Sequence, residues 1–447
     1  MKNSNRSAAY FVMAALLGAA GASSAANWPQ FRGLDASGVD GSAPTPVNWN
    51  VEKGENVRWH TEIPGLAHSS PIIWGDRIYL TTAVGDPKQD IKIGLYGDIA
   101  SANDEDSHQW RLIAIDKNSG KIIWDKLATE GIPRGKRHTK ATHCNSTPAT
   151  DGNRVVAIFG SEGLFCLDHD GKVIWHDDLG RMKSGYYVVP SAEWGFSSSP
   201  IIHDGKVIVL CDVLGDSFIA SFSLADGHEV WRTKRKDVPT WSTPAIAKVG
   251  DRTEILVNGW HHTGSYDFAN GQEIWKIDGG GDIPVPTPIV SDGMVYFTSA
   301  HGGQRPMRAV KLDDHLVSVS AQGVTNPAVA WQQDRKGDYL LTPILVGSCI
   351  YDCQDGIVNC FDAKTGDVKY SERLGDGTEG FTASPVSDGK NIYFTSETGK
   401  VYVVPATGAF SVAASNKLND TCLASAAVSD GTIFFRTRRE LLAIGKP

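Results

Sequence analysis

The sequence predicts an all-β fold, an eight-bladed β-propeller of four-stranded antiparallel blades, and three observations carry that expectation. A Ser or Thr followed by Pro and an apolar run recurs at Ser69-Ser70-Pro71, Ser146-Thr147-Pro148, Ser198-Ser199-Pro200, Ser242-Thr243-Pro244, Thr287-Pro288, Thr342-Pro343 and Ser384-Pro385, and Ser425-Ala426 is an eighth copy without its Pro. A Gly four residues before an aromatic recurs as Gly120 with Trp124, Gly171 with Trp175, Gly227 with Trp231, Gly271 with Trp275 and Gly366 with Tyr370, whereas Trp331 has no such Gly. Between the two signatures, apolar β-rich runs meet at Asp-Gly steps such as Asp204-Gly205, the strongest short-range hairpin signal. The copies are spaced by about forty to fifty residues, a period at which each repeat is one supersecondary unit that cannot bury its apolar face alone.

Taken in order, residues 1–26 carry Lys2 and Arg6, an apolar run from Ala8 to Ala20 and then Ser23-Ser24-Ala25-Ala26, which reads as a secretory signal peptide. The run is short of the roughly 20 residues a membrane span requires, so no transmembrane helix is expected. Residues 27–55 read as an amino-terminal extension and 56–447 as the propeller. In the third unit Ile201-Ile202 enters a strand, His203-Asp204-Gly205 turns it, and Lys206 to Leu210 returns. A third strand follows at Phe218 to Leu224, then a turn at Ala225-Asp226-Gly227 and a fourth strand from His228 to Trp231. Fourth strands are expected at Trp59, Trp124, Trp175, Trp231, Trp275, Trp331, Tyr370 and near Val412. Asn56 to Trp59 has no first strand before it, and the unit from Leu423 to Ile444 lacks a fourth. The amino-terminal strand is therefore expected to complete the last blade and close the ring, leaving no open edge. The recurrent aromatics Trp59, Trp124, Trp175, Trp231, Trp275, Trp331 and Tyr370 are expected to pack between blades, where each ring buries about 150 to 250 Å².

The turn-and-aromatic unit, seen in Phe361-Asp362-Ala363-Lys364-Thr365-Gly366 and in Leu224 to Trp231, resembles the tryptophan-docking repeat of pyrroloquinoline-quinone-like propellers. The resemblance runs from about Asn56 to Ile444. The leading Asn27-Trp28-Pro29-Gln30-Phe31-Arg32-Gly33 is similar to the mature start of secreted bacterial members, which implies an exported protein, periplasmic or extracellular. The family holds quinoprotein alcohol dehydrogenases, the propeller lipoprotein of the outer-membrane barrel-assembly machinery and many secreted proteins of unassigned role. Membership of the dehydrogenases would imply pyrroloquinoline quinone with calcium, an adjacent cysteine pair, calcium-binding acidic and amide side chains and a longer chain. No Cys-Cys step occurs among the seven cysteines, and Cys166, Cys211 and Cys360 sit in apolar runs as buried thiols would. Cys349 and Cys353 are left open to pairing with another cysteine.

Removing Lys2 and Arg6 takes the formal charge from −8 to −10, an acidic balance that argues against nucleic acid as a partner. The sequence has no GxSxG elbow and no HExxH, and Gly279-Gly280-Gly281 lacks the Lys of a phosphate-cradling loop. The long insertions, Val84 to His108, Lys126 to Asn145, Gly180 to Phe196, Asn258 to Gly264 and His301 to Pro306, fall on one face of the predicted ring, which marks it as the binding face. That face gathers His138, Lys140, His143, Asn145, Trp194, Phe196, Trp241, His301 and Arg305 as candidate ligand-binding residues, with His261, His262 and Phe381 nearby. Hydrogen bonding among these residues and loop backbone is the competing structural role. The adjacent His261-His262 lacks the spacing of further ligands, so no metal site is expected. The expectation is a monomeric, non-catalytic binding or scaffold propeller without a cofactor, its partner an envelope protein, a polymer or a small molecule. The alternatives are a quinone-dependent dehydrogenase and a small-molecule sensor.

Overall fold

The computed structural model describes residues 26–85, 90–94, 97–277, 280–313 and 328–446. Residues 1–25 of the predicted signal peptide and Gly279 of the glycine triplet lie outside these residues. Eight four-stranded antiparallel sheets stand around a central channel. Blade 1 is Ile72–Trp74, Arg77–Val84, His108–Asp116 and Ile122–Gly131, and blade 2 is Ala149–Thr150, Arg154–Ile158, Leu164–Asp168 and Val173–Asp177. Blades 3 to 7 follow the same order, beginning at Ile201, Ala245, Ile289, Ile344 and Val386. Blade 8 takes Ala427–Ser429, Thr432–Arg436 and Glu440–Ile444 from the end of the chain and Val57–Glu62 from its beginning. Trp59 pairs with Ala443 and Thr61 with Leu441, so the ring closes through the amino-terminal strand as the sequence predicts. Among the described residues the helical content is two short 3-10 turns, and no helix is long and apolar enough to cross a membrane.

The β-rich runs bury both faces against neighbouring blades: Val207, Ile208 and Val209 are all within 1% of full burial. The Asp204-Gly205 hairpin has φ of 43° and 71°, the pair of left-handed residues that matches the twist of its flanking strands. Two boundaries differ from the sequence reading. The fourth strand of blade 1 runs on to Gly131, placing Lys126 on a strand, and the last strand of blade 7 is Ala414–Lys417, beyond the exposed Val412. Exposed outer strands carry too weak an apolar pattern to fix their ends.

The repeated aromatics and glycines join consecutive blades. Trp59 Nε1 donates to Lys117 O at 3.0 Å, Trp124 to His169 O at 3.0 Å, Trp175 to Leu224 O at 3.0 Å, Trp231 to Phe268 O at 3.2 Å and Trp331 to Ala363 O at 2.9 Å. Each ring lies on the Gly of the following blade: a Cβ on Gly120 would sit 2.6 Å from the Trp59 ring, and one on Gly366 2.6 Å from the Trp331 ring. The Gly and aromatic of one repeat thus face opposite neighbours. Trp275 differs, donating to Glu254 Oε2 of its own blade at 3.1 Å.

The Ser/Thr before each Pro builds an inner girdle. The backbone N–H of Ser70 donates to Thr147 Oγ1, that of Thr147 to Ser199 Oγ and that of Ser199 to Thr243 Oγ1, at 2.9 to 3.0 Å. The chain resumes from Thr287 through Thr342 and Ser384 to Ser425, at 2.9 to 3.0 Å, while Thr287 Oγ1 itself is buried without a hydrogen-bond partner among the described residues. Pro has no N–H, so the preceding residue must satisfy the inner edge of the blade, and a hydroxyl supplies the acceptor.

Residues 27–45 cross one end of the channel. Trp28 pairs with Ile73 of blade 1 and Thr150 N donates to Pro29 O in blade 2. The buried Arg32 guanidinium donates to Pro343 O at 2.9 Å, Pro385 O at 3.0 Å and Ala36 O at 3.2 Å. Burial among these carbonyls pushes the Arg32 pKa down to about 9. Thr45 reaches Asp388 and Tyr393 in blade 7. The extension is therefore a plug that turns the channel into a blind cavity.

Candidate functional site

The cavity above the plug has a volume of about 520 Å³. Phe31 of the plug and Ser70, Thr147, Ser199 and Thr243 of the girdle line it, and its walls continue into the long connections on the opposite face. Those connections contribute His138, Lys140, Asn145, Tyr186, Trp194, Trp241, His301 and Tyr339.

An aromatic shelf forms one wall. Tyr186 and Trp194 stack with rings 5.8 Å apart and 3° from parallel, Trp241 lies 5.7 Å from Trp194, and the His138 ring meets Trp194 edge-on at 5.8 Å. Backbone carbonyls hold the indoles in place: Trp194 Nε1 donates to Ile99 O at 3.2 Å and Trp241 Nε1 to Gly195 O at 2.8 Å. The shelf continues at its Tyr186 end, where the His301 ring meets Tyr186 edge-on at 5.5 Å and stacks on Tyr339 at 5.8 Å, its Nδ1 2.6 Å from Asp282 Oδ1. Burial pushes the Tyr339 hydroxyl up to about 12, with Asp282 adding to the effect.

The polar residues of the wall are tied down. Lys140 Nζ lies 2.5 Å from Glu397 Oε1, a carboxylate that also accepts from Thr382 Oγ1 at 2.5 Å and Gly94 N at 2.8 Å. This pair spans from the connection into blade 2 to blade 7. His138 Nε2 is 2.7 Å from Asp98 O, and burial holds its pKa below the ordinary value against the pull of Asp98. Asp98 pairs with Lys92 at 3.4 Å. His68, bonded to Lys140 O at 2.7 Å, is pushed down to about 4 by burial.

Six of the sequence candidates, His138, Lys140, Asn145, Trp194, Trp241 and His301, meet in this cavity. Asn145 also shapes its wall, accepting from Thr142 N at 2.9 Å and donating to Phe196 O at 3.2 Å. The other three candidates lie elsewhere. His143 bonds Asp104 Oδ2 at 3.1 Å beside a second cavity, Phe196 is buried in the core between blades 2 and 3, and Arg305 forms a backbone bridge with Arg335. Phe381 is core, 1% exposed. His261 lies against Trp260 and His262 against Tyr266, the latter with its pKa pushed down to about 3 by burial and by Arg235. The sequence reading misses Tyr186 and Tyr339, which stand in connections that do not repeat, and the girdle hydroxyls, which the repeat marks only as strand entries. Their alternation with Pro was the available signal.

All seven cysteines are buried free thiols. Neither Cys349 nor Cys353 is in a disulfide.

Among curated proteins none matches the chain. Solved structures match its fold. BamB from Moraxella catarrhalis aligns with a TM-score of 0.54 at 16% identity, covering 81% of this chain and 98% of that one. A europium-containing methanol dehydrogenase aligns at 0.59 and 10% identity, covering 92% and 89%. The quinohemoprotein alcohol dehydrogenase ADHIIG from Pseudomonas putida HK5 aligns at 0.57 and 12%, covering 94% and 81%. At such identities the likeness establishes the ring of blades and nothing of its chemistry. A family model described as outer membrane protein assembly factor BamB matches residues 39–186, 109–372 and 215–445, overlapping spans that take in nearly all of the ring. By that match the chain belongs to the pyrroloquinoline-quinone-like eight-bladed propeller family of which this assembly factor is the named type.

Proposed function

We propose that the protein is an exported, non-catalytic binding propeller whose plugged central cavity takes a neutral, ring-bearing ligand, a sugar ring of an extracytoplasmic polymer being the class its walls suit best. The observation that carries this reading is the aromatic shelf of Tyr186, Trp194 and Trp241 above a hydroxyl-lined floor. Aromatic faces stack on the apolar face of a ring, while Ser and Thr hydroxyls and Nε2 of His301, whose Nδ1 is held by Asp282, offer bonds to its polar rim. Both charged residues of the wall are paired, Lys140 with Glu397 and Asp98 with Lys92, which favours a neutral ligand over an ionic one. The family's secreted members support export to the envelope. A scaffold role toward an envelope protein would use the same face, the partner presenting an aromatic side chain to the shelf.

The donor set does not fit pyrroloquinoline quinone with calcium. That cofactor is polyanionic, yet the one Lys of the wall is already held by Glu397. Calcium takes six to eight oxygen ligands, whereas Asp98 is the one carboxylate among the lining residues. The thiols are buried inside blades or their connections. The dehydrogenase alternative therefore gains no residue-level support here.

The test is a titration of the purified mature chain, followed by tryptophan fluorescence, with soluble peptidoglycan fragments, neutral oligosaccharides, aromatic peptides, and the quinone with calcium. Saturable binding of a neutral oligosaccharide that Trp194→Ala and Trp241→Ala each weaken is expected. Selective binding of the quinone, or binding indifferent to both variants, contradicts the reading.

A further inference from the structure

Beside the central cavity, the long connection within blade 1 and the connection into blade 2 enclose a second, smaller space of about 180 Å³. Asp104, His108 and His143 line it together with Arg137 and Arg438. One ligand atom from each of Asp104, His108 and His143 falls within 4.8 Å of the other two. These groups are well covered: the Asp104 side chain is 1% exposed, that of His143 9%, and His108 as a whole 3%.

Two details go beyond a chance cluster. His108 Nδ1 lies 2.8 Å from Asp106 O. A carbonyl only accepts, so Nδ1 carries the hydrogen and Nε2 keeps its lone pair, the arrangement that orients a metal-binding imidazole. Asp104 Oδ2 receives Arg137 Nε at 2.6 Å and faces His143 Nε2 at 3.1 Å, but its Oδ1 is buried with no hydrogen-bond partner among the described residues. A buried carboxylate oxygen left unpaired is costly, and a bound cation would offset that cost.

The charges must be weighed against this. Arg137 is engaged by Asp104 and by Ala141 O at 2.9 Å, and Arg438 by Asp90 Oδ1 at 3.0 Å. Each Arg is thus partly neutralised, and the two imidazoles add no charge when neutral. The arginines weaken the site relative to one with a second carboxylate, but they leave the free Oδ1 and the His108 lone pair available.

We infer that Asp104 Oδ1, His108 Nε2 and a ring nitrogen of His143 form a binding site for a divalent transition-metal ion of the Zn²⁺ type, with the remaining cavity left for a water or another small ligand. Two imidazoles and a carboxylate are the donor set of open zinc and non-haem iron sites. Calcium, which takes oxygen ligands throughout, is disfavoured. Bonds of about 2.0–2.2 Å require the ligand atoms to draw together from their present spacing. Rotation of His143 away from Asp104 Oδ2 supplies that movement. Because Asp104 is joined to Arg137 and Arg137 precedes His138 of the aromatic cavity, a bound ion would brace the wall of the larger site.

The experiment uses the mature full-length chain, stripped with a chelator and titrated with Zn²⁺ by calorimetry, and with Co²⁺ by visible absorption. One equivalent of Zn²⁺ is expected, together with Co²⁺ bands of a nitrogen-ligated site. His108→Gln and His143→Gln should each weaken Zn²⁺ binding by about tenfold or more, while His261→Gln, in a separate loop, leaves it unchanged. Asp104→Asn probes the carboxylate but also strips Arg137 of its partner, so its far-UV circular dichroism and melting are recorded alongside. His143→Gln, at the least covered of the three positions, keeps the test independent of that risk. Failure to bind Zn²⁺ stoichiometrically, or an affinity untouched by both His→Gln variants, overturns the assignment.

Discussion

Trp175 and Gly227 offer a double-mutant cycle that tests the joint between blades 2 and 3. The Trp175 ring is 8% exposed, and its Nε1 donates to Leu224 O at 3.0 Å. Gly227 has φ of 80°, and a Cβ there would lie 2.7 Å from Trp175 Cδ2 and 2.8 Å from Cε3. Gly227→Ala therefore carries two costs: a left-handed backbone worth about 1–2 kcal/mol and overpacking worth about 1–3 kcal/mol. Trp175→Ala alone costs about 3–5 kcal/mol. In the double variant the ring is gone, so only the backbone cost of the new Ala remains. The combined loss should fall short of the sum by about 1–3 kcal/mol, the overpacking part. Equilibrium guanidinium unfolding at constant m measures all four corners. Additivity to within about 0.5 kcal/mol would mean that the two residues do not meet, and the docking account would fail.

Three further outcomes follow from buried groups. Burial pushes the Asp352 pKa up to about 7, so the folded chain holds a proton that the unfolded chain releases near pH 4. This contribution to stability is lost as pH rises from about 4 to about 7, and Asp352→Asn should raise the melting temperature more at pH 8 than at pH 5; an equal gain at both refutes it. His68 has the opposite sense: with a folded pKa of about 4 against about 6.5 unfolded, its contribution is lost as pH falls through that window, on the order of 3 kcal/mol at most. His68→Gln should flatten the acid limb of a stability–pH curve, and an unchanged slope counts against it. Arg32→Ala removes the donors of Pro343 O and Pro385 O and should cost about 3 kcal/mol, at about 1–3 kcal/mol per orphaned carbonyl. It should also speed proteolysis within residues 27–55; a plug as protease-resistant as the wild type would contradict its role.

The ring was legible because its signals repeat. Asp204-Gly205, the Ser/Thr-Pro steps and the Gly-aromatic turns each state a local geometry several times over, and Val57–Glu62 without a first strand announced the closure. What each repeat touches was less legible. Gly120 and Trp124 share a repeat, yet Gly120 lies under Trp59 of blade 8, a contact made only once the blades stand side by side. The site divides in the same way. Trp194, Trp241 and His301 stood out as loop residues of the long-insertion face, whereas Tyr186, which joins Trp194 to His301, meets them only through the ring geometry. His143 looked inseparable from His138 in sequence, but the turn at Ala141 to Asn145 sends it to the other side of the wall, against Asp104. Asp104 and His108 stood unremarked because a four-residue spacing in a loop and strand points to no common ligand.

The most direct test of the binding account is the fluorescence titration of the mature chain with neutral oligosaccharides, run on wild type, Trp194→Ala and Trp241→Ala. The account predicts saturable binding in the wild type and about a tenfold loss in each variant, about 1.4 kcal/mol, near the upper end of what an aromatic stacking contact contributes. Equal affinity in all three proteins would place the ligand outside the cavity and contradict it.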